Sequence, residues 1–498
     1  MASPDTTIII LAAGKGTRMR SDLAKVLHRA GGRPLVEHVI RASQALKPGQ
    51  ILAVVGHQEE EVGAVDEQLR AQTILQQPQR GTGHAIQVAR RAIRKSAKMA
   101  VVIAGDAALL QTQTLAALID THRRGEAAAT ILTAELADPA SYGRIVRDTE
   151  GRVQAIVEDK ALTPDQRDIR EVNSSIYCFT LEKLWPCLAA LRPDNAHREL
   201  YLTDAIAMLR QRDERVLAYI AADPNEVLGC NTRAELAQID RILRARKAAE
   251  LMDAGVTIYL PETVVIDPEV TAGPDTTIEP GAQLLGKTRI GARCKIGSGS
   301  ILHDVRVDDD AIIGTHSSLE SCRVATQARI GPFSRLRPGT DIRAGAHVGA
   351  FVEMKNTVLH EGAKAPHLSY LGDATIGPET NIGAGTITCN FDGVAKHETK
   401  IGGRVFIGSD SALVAPVRIG DGAYVAAGSI ITDNVPPDAL AIARGRQVNK
   451  PGWAKARRLA LSSAKHHEGR RRSKSKSRPK RRAVRRKPSR RSKPKSRR

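Results

Sequence analysis

IGGRVFIGSDSALVAPVRIGDGAYVAAGSII, residues 401–431, decides the fold of the C-terminal half of this chain. Its aliphatics Ile401, Ile407, Leu413, Ile419, Val425 and Ile431 recur every six residues, and Ile278, Leu284, Ile290, Ile296 and Leu302 keep the same beat upstream. An α-helix repeats near 3.6 residues and a half-buried strand at 2, so neither produces this period. One aliphatic turned inward per six residues, followed by small residues such as Gly408, Gly420 and Ala426, suits a parallel β-helix. Each unit then forms one wall and the next turns a corner. An aromatic content of 3% agrees, because narrow stacked coils are filled by Ile, Val and Leu. One-residue slips near Val307 and Val324 read as ordinary irregularity. From Met354 to Ile376 and from Ile382 to Ile401 the beat is lost, and both stretches are expected to project as loops where a binding site forms.

Upstream, the runs Thr6 to Ala12, Ile51 to Val55, Ala100 to Ala104, Ala128 to Ala134 and Glu171 to Thr180 read as strands. Helical stretches, Pro34 to Ala45 and Thr82 to Lys95, alternate with them, which predicts βαβ units and a mainly parallel, doubly wound sheet. Ligands in such sheets bind beyond the carboxyl ends of the strands. The segment LAAGKGTRM (Leu11 to Met19) stands at one such end and Gly105-Asp106 at another. Gly14 and Gly16 allow close backbone approach to a phosphate, and Lys15, Arg18 and Lys25 add positive charge. No GK[ST] closes the loop, so it is not a Walker motif. Asp106 suits either a Mg²⁺ ligand or a helix N-cap.

A length of 498 residues allows two or three domains. The expected division is a nucleotide-handling domain at 1–231, a linking helix at 232–254, a solenoid domain at 255–450 and an extension at 451–498. Leu236, Ile239, Ile242 and Leu243 carry the helical spacing of the linker, and Gly255 stops it. The net charge of +21 is concentrated at the end: Lys465 to Arg498 holds nineteen Lys or Arg and one acid, a net +18. Rich in Ser and Pro and poor in aliphatics, that tail is expected to be disordered from about Lys465 and to meet polyanions without specificity. The six cysteines show no CxxC spacing and read as reduced thiols, neither nucleophiles nor metal ligands. No apolar run approaches membrane-spanning length. The chain reads as cytoplasmic, without integral membrane association.

The motifs LAAGKGTRM with Lys25, Gln76 with GTGHA (Gly81 to Ala85), Gly105-Asp106, YGRI (Tyr142 to Ile145), IVEDK (Ile156 to Lys160), Asn173 and GCNTR (Gly229 to Arg233) occur in one order over 230 residues. In that order and spacing the segment resembles the nucleotidyltransferase domain of the bacterial N-acetylglucosamine-1-phosphate uridylyltransferases. The resemblance implies that Asp106 and Asn231 bind Mg²⁺ and that Leu11, Ala12, Ala13, Gly14, Arg18 and Lys25 hold the nucleotide and its phosphates. Gln76, Gly81 and Thr82 would read the uracil, and Gly143, Glu158 and Asn173 would hold the amino sugar. Nucleotidyl transfer needs no protein nucleophile, only positioning of two anions and neutralisation of charge. Two departures stand out: Ala104 replaces the family's usual Tyr before Gly-Asp, and Ala24 its usual Pro before Lys25.

RLRPG (Arg335 to Gly339), FVEMKN (Phe351 to Asn356), KAPHLSYLGD (Lys364 to Asp373), NIGAGTITCNFDG (Asn381 to Gly393), IGSD (Ile407 to Asp410) and Arg444 resemble the left-handed β-helical glucosamine-1-phosphate N-acetyltransferase half of the same bifunctional enzymes. That likeness implies His367 as general base, and Arg337, Lys355, Tyr370 and Asn381 on the sugar phosphate. Ala384, Asn390, Phe391, Ser409, Ala427 and Arg444 would meet acetyl-CoA between neighbouring subunits of a homotrimer. Phe391 stands where the family usually has Tyr. An imidazole of ordinary pKa, about 6.5, suits removal of a proton from an amine near neutrality.

The implied chemistry is acetylation of glucosamine 1-phosphate with acetyl-CoA, then transfer of UMP from UTP to N-acetylglucosamine 1-phosphate with release of pyrophosphate. The product, UDP-N-acetylglucosamine, feeds peptidoglycan and, where present, lipopolysaccharide. Two rival readings remain at this level: a nucleotidyltransferase whose solenoid only trimerises, and a nucleic-acid-binding protein acting through its tail. The intact KAPHLSY and NFDG segments oppose the first, and the lack of aromatic residues in the tail opposes the second.

Overall fold

The computed structural model describes residues 4–475 apart from 15, 57, 140 and 194–197. Lys15 and the tail beyond Ser475 thus lie outside the described residues. The first half is built on a sheet whose strands are β1 (Thr6–Ala12), β2 (Gln50–Val55), β3 (Gln72–Leu75), β4 (Met99–Ala104), β5 (Ala129–Glu135), β6 (Arg144–Arg147), β7 (Val153–Val157), β8 (Glu171–Thr180) and β9 (Val216–Ile220). Their order is β9-β5-β8-β4-β1-β2-β3, with β6 and β7 attached at β8. Only β8 runs antiparallel within that path, against both β4 and β5. β1 reads TTIIILA because it is buried on both faces. Ile8 and Ile10 pack into one apolar cluster and Ile9 into another. The helices Leu35–Gln44 and Thr112–Arg124 contribute to the first cluster, and Thr82–Ala89 and Leu181–Ala190 to the second. The helix beginning at Thr82 ends six residues earlier than its sequence suggests, the chain turning through Arg90 to Ala92.

The linking helix, Arg233–Asp253, begins with a capping box: Glu235 N–H donates to Thr232 Oγ1 at 3.2 Å and Glu235 Oε2 accepts Thr232 N–H at 2.8 Å. Its first half buries Ile239 against Met19, Ala30, Leu35 and Leu109 of the nucleotide-handling half. Its last turns bury Ala248 and Leu251 in the apolar core of the solenoid. Polar ties fix it sideways, from Gly31 N–H to Asp240 at 2.7 Å and from Arg246 to Asp223 at 2.9 Å.

The solenoid is a parallel β-helix of short strands from Thr257–Ile258 to Leu440–Ala441. Register gives the length of each coil: Ile278 pairs with Ile296, Ile296 with Ile313, Ile313 with Ile330, Ile330 with Val348 and Ile407 with Val425. Three six-residue units therefore make one turn of three walls, and the slips at Val307 and Val324 shorten a turn by one residue without breaking the ladder. The inward residues form one continuous core from Val256 to Val435.

The two expected interruptions prove different in kind. Met354 pairs with Leu371 and Leu359 with Ile376, so the first stretch is an ordinary coil and not a projecting loop. The six-residue beat disappears there because Glu353–Leu359 and Tyr370–Ile376 are long flat strands that alternate, burying Met354, Thr357 and Leu359 and then Leu371, Ala374 and Ile376. Only the second stretch is an insertion, since Ile376 pairs with Ile401, several residues more than one coil away.

From Arg444 the chain forms a second compact unit. A helix spans Trp453–Ser475, so the start of the segment expected to be unstructured from Lys465 is helical. Ala, Arg, Lys and Leu are strong helix formers, and they carry the helix despite its charge. No helix among the described residues is long and apolar enough to cross a membrane. All six cysteines are free.

Ile407 is fully buried in the ladder between Ile382 and Val425. Ile407→Ala is expected to destabilise the solenoid by about 2–5 kcal/mol, read as a fall in the urea midpoint of its unfolding transition.

Candidate active sites

A cleft of about 650 Å³ opens beyond the carboxyl ends of β1 and β4. It gathers Leu11, Ala13, Gly14, Arg18, Lys25, Gln76, Gly81, Thr82, Asp106, Gly143, Glu158, Asn173 and Asn231, which the sequence scatters over 220 residues. Ala12 is the exception: only 2% exposed, it packs in the core behind the loop. Gly105 must be small, because a Cβ there would lie 2.9 Å from the carbonyl oxygen of Leu11. Closeness of β1 and β4 at that point sets Asp106 against the Gly-rich loop.

At the floor, Asp106 Oδ2 and Asn231 Oδ1 converge on one cation, the Lys25 ammonium, at 2.6 and 3.3 Å. Asp106 is 7% exposed and also accepts Cys230 N–H at 3.0 Å. A hard oxygen pair already focused on a positive charge fits a divalent cation that takes its remaining ligands from phosphate oxygens and water. Among the described residues no cluster of three or more His, Cys, Asp or Glu could hold a metal by itself. Asn231 is oriented by the linking helix, its N–H donating to Glu235 Oε2 at 2.6 Å. The Thr-x-x-Glu signature of that cap is visible in GCNTRAE, so the supporting role of Glu235 was legible in the sequence.

Gln76 is held by its Nε2, which donates to Gly81 O at 3.0 Å, while Thr82 Oγ1 accepts Leu202 N–H at 3.0 Å. On the opposite side, Asn173 N–H bonds Gly143 O at 2.8 Å and its Nδ2 donates to Tyr177 Oη at 2.9 Å. Burial pushes the Glu158 carboxyl above its ordinary range, against a hydroxyl bond from Thr203 at 3.4 Å. Tyr142 and Tyr201 also line the cleft, and Tyr142 Oη accepts Gly229 N–H at 3.2 Å. Tyr142 opens the YGRI motif, whereas no charge or spacing in the sequence singles out Tyr201. Ala104 lines the cleft with a methyl where the family carries a ring. Ala24 keeps a φ of −54°, the value proline would impose, and its extra N–H donates to Gln58 Oε1.

In the solenoid, register stacks a second group. Arg337 bonds Glu353 at 3.1 Å, Glu353 pairs with Tyr370 one coil on, and Lys355 pairs with Gly372. A Cβ on Gly372 would lie 2.5 Å from Tyr370 Oη and 2.8 Å from Asn390 Nδ2, so both side chains cross above that glycine. Asp373 accepts from Asn390 at 2.5 Å and from Asn356 at 2.8 Å. The inserted hairpin brings Lys396 into contact with Lys355, and that neighbour, with Arg337 beyond it, pushes the Lys355 ammonium below its usual range. Three cations face two carboxylates here, an excess of positive charge that an anion could neutralise. Lys396 was missed from sequence because its approach depends on the path of the hairpin.

His367 is exposed at a corner, just before Leu368 in left-handed conformation (φ 41°). The same corner continues through Ala384, Ser409 and Ala427, linked by Gly385 N–H to Leu368 O at 2.8 Å, Asp410 N–H to Ala384 O at 2.7 Å and Gly428 N–H to Ser409 O at 2.8 Å. A line of small residues thus runs on from His367. Asn381 stands apart on the wall that carries Lys364, with which it pairs. Phe391 is 60% exposed on the hairpin. Arg444 belongs to the terminal unit.

Residues 8–253 match the MobA-like NTP transferase domain and residues 398–433 the bacterial transferase hexapeptide repeat. Together with the two sites, this defines a sugar-nucleotide transferase fused to a left-handed β-helical acyltransferase. Among curated relatives, the bifunctional protein GlmU of Koribacter versatilis is 49% identical over 92% of this chain and 98% of its own. Those of Solibacter usitatus (49%, over 91% and 97%) and Mycobacterium marinum (45%, over 92% and 95%) are similar over comparable spans. The chain belongs to the GlmU family of bifunctional uridylyltransferase–acetyltransferases of UDP-N-acetylglucosamine synthesis.

If Glu235 fixes Asn231, Glu235→Ala will raise the divalent-metal concentration for half-maximal uridylyl transfer by about tenfold and cost about 1 kcal/mol of stability through loss of the cap. Metal titration of the initial rate and thermal melting read the two effects.

Proposed function

We propose that the two sites divide the work as follows. The solenoid acetylates glucosamine 1-phosphate with acetyl-CoA, and the cleft then joins the product to UTP. Convergence of Asp106 and Asn231 on the Lys25 ammonium carries the reading of the cleft. There Asp106 and Asn231 would hold Mg²⁺, which when bound supplies charge neutralisation at the triphosphate. Arg18 and Lys25 bind phosphate oxygens, and Gln76, Gly81 and Thr82 face the uracil. Gly143, Glu158 and Asn173 orient the amino sugar so that its phosphate attacks the α-phosphorus in line, with pyrophosphate leaving.

In the solenoid, Arg337, Lys355 and Tyr370 hold the sugar phosphate, joined by Lys396, whereas Asn381, on another wall, would reach the sugar only where neighbouring subunits meet. The His367 imidazole removes a proton from the amine, the amine forms its bond to the thioester carbon, and coenzyme A departs as the thiol. Ala384, Asn390, Phe391, Ser409 and Ala427 form the acetyl-CoA contact, completed between subunits of a homotrimer of hexapeptide-repeat domains. The cation cluster favours this over a solenoid that only trimerises, since a structural wall gains nothing by holding Lys396 against Lys355. Reliance on UTP and acetyl-CoA, and six free thiols, support a cytoplasmic setting.

Asp106→Ala or Asn231→Ala should reduce metal-dependent pyrophosphate release by orders of magnitude and spare acetyl transfer. His367→Ala should lower acetyl transfer by about 10² to 10⁴ and leave uridylyl transfer from N-acetylglucosamine 1-phosphate intact. Parallel assays of both half-reactions on each folded variant test the division, and equal loss of both activities would refute it.

The basic extension serves neither reaction in this reading. Deleting residues 465–498, with their net +18, should leave both turnover rates unchanged and abolish retention on heparin or RNA at moderate salt. Salt-insensitive, sequence-selective binding by the full chain would instead make it a recognition element.

A further inference from the structure

The insertion in the solenoid is a hairpin closed by one side-chain pair. His397 Nε2 and Asp392 Oδ2 lie 2.7 Å apart, and Asp392 Oδ1 accepts the N–H groups of Val394 and Ala395, each at 2.7 Å. The main chain closes the stem, with His397 N–H donating to Asn390 O at 2.8 Å and Phe391 bridging Lys396. A single carboxylate therefore ties the tip of the hairpin to its base. Hydrogen bonds from the Ala395 N–H, the His397 ring and the Val394 N–H hold that carboxyl well below the usual carboxylate range.

What the hairpin presents is costly to present. Lys396 is set against Lys355, with Arg337 near, and the repulsion among these like charges is only partly offset by the Asp373 carboxylate that faces both ammoniums. A free loop would swing Lys396 into solvent. Asn390 anchors one strand of the stem to Asp373 at 2.5 Å, whereas Lys396 sits on the other strand, next to His397. That second strand is restrained by the Asp392–His397 closure. The groups about His397 are Asp392 across the hairpin and the adjacent Lys396 and Glu398, and Glu398 is engaged by Thr375 at 3.0 Å and Lys400 at 3.1 Å. Asp392 is therefore the carboxylate left for the imidazole.

We propose that the Asp392–His397 pair is a positioning pair for acetyl transfer, clamping Lys396 against Lys355 so that the two ammoniums are preorganised for the phosphate of the amino-sugar 1-phosphate. This rests on the acetyltransferase reading of the solenoid. The clamp acts before the chemical step, so its removal weakens phosphate binding while the base and the thioester remain as they were.

Steady-state acetylation by the full-length chain tests it, using His397→Ala, His397→Gln, Lys396→Ala and the Lys396→Ala/His397→Ala double variant. His397→Ala should raise KM for glucosamine 1-phosphate about tenfold and weaken competition by inorganic phosphate in parallel, with kcat and the KM for acetyl-CoA within about twofold. His397→Gln, which keeps an N–H donor for Asp392, should restore most of the loss. In the Lys396→Ala background, His397→Ala should add nothing further. Uridylyl transfer and the melting temperature of each variant serve as controls for folding. The clamp is overturned if His397→Ala leaves KM unchanged, if acetyl-CoA KM rises equally, or if the two substitutions multiply. Failure of the underlying reading looks different, because the unmodified chain would then release no coenzyme A with glucosamine 1-phosphate.

Discussion

Parallel stacking in strict register is the constraint on which the acetyl site depends. Each coil must return beneath itself after three short walls, and the pairing of Ile278 with Ile296 or Ile407 with Val425 records that return. Arg337, Lys355, Tyr370 and Asn390 come from successive coils and make almost no contact through the chain that joins them. They meet because backbone hydrogen bonds fix the height of every coil relative to the next. Gly372 shows how tight the fit is: the side chains of Tyr370 and Asn390 occupy the space a Cβ would need. An aliphatic ladder inside and a row of chemistry outside are two faces of one periodicity.

The cleft works by a different economy. Its two halves are brought together at strand ends, and its floor places a lysine where two oxygen ligands converge. An ion pair between the half-buried Lys25 and the buried Asp106 satisfies each charge while no nucleotide is bound. In the proposed reaction a triphosphate would offer the ammonium a stronger anionic partner and leave the two oxygens free to hold a divalent cation. The same residues can thus be stable when empty and reactive when filled.

Much of this was legible in the sequence where a physical period or a local cap was at work. The six-residue beat gave the solenoid, β-rich runs ending in Gly-rich turns gave the doubly wound sheet, and the helical spacing of Leu236, Ile239, Ile242 and Leu243 with Gly255 as its stop gave the linking helix. The stretch from Met354 to Ile376 misled because long alternating strands replaced the beat while the coil length hardly changed. Lys396 was invisible because only closure of a hairpin by Asp392 and His397 brings it to Lys355. The helix through Ser475 is hidden in the sequence because its charge density points to disorder while Ala, Arg, Lys and Leu favour helix locally. Composition reports on burial, and it is weaker on local backbone preference.

The linking helix has a mechanical meaning. Its 21 residues make a rod of about 32 Å, one end capped beside Asn231 and the other sunk among the first coils of the solenoid. Bonds from Arg246 to Asp223, from Arg244 to Asp267 and from Gly31 N–H to Asp240 brace it along its length. A rod embedded in both bodies transmits displacement, so unwinding of the first coil would be felt as displacement of Asn231 at the far end. Fusion of two catalysts in one chain is here more than tethering: the solenoid is the foundation on which the floor of the nucleotide cleft stands.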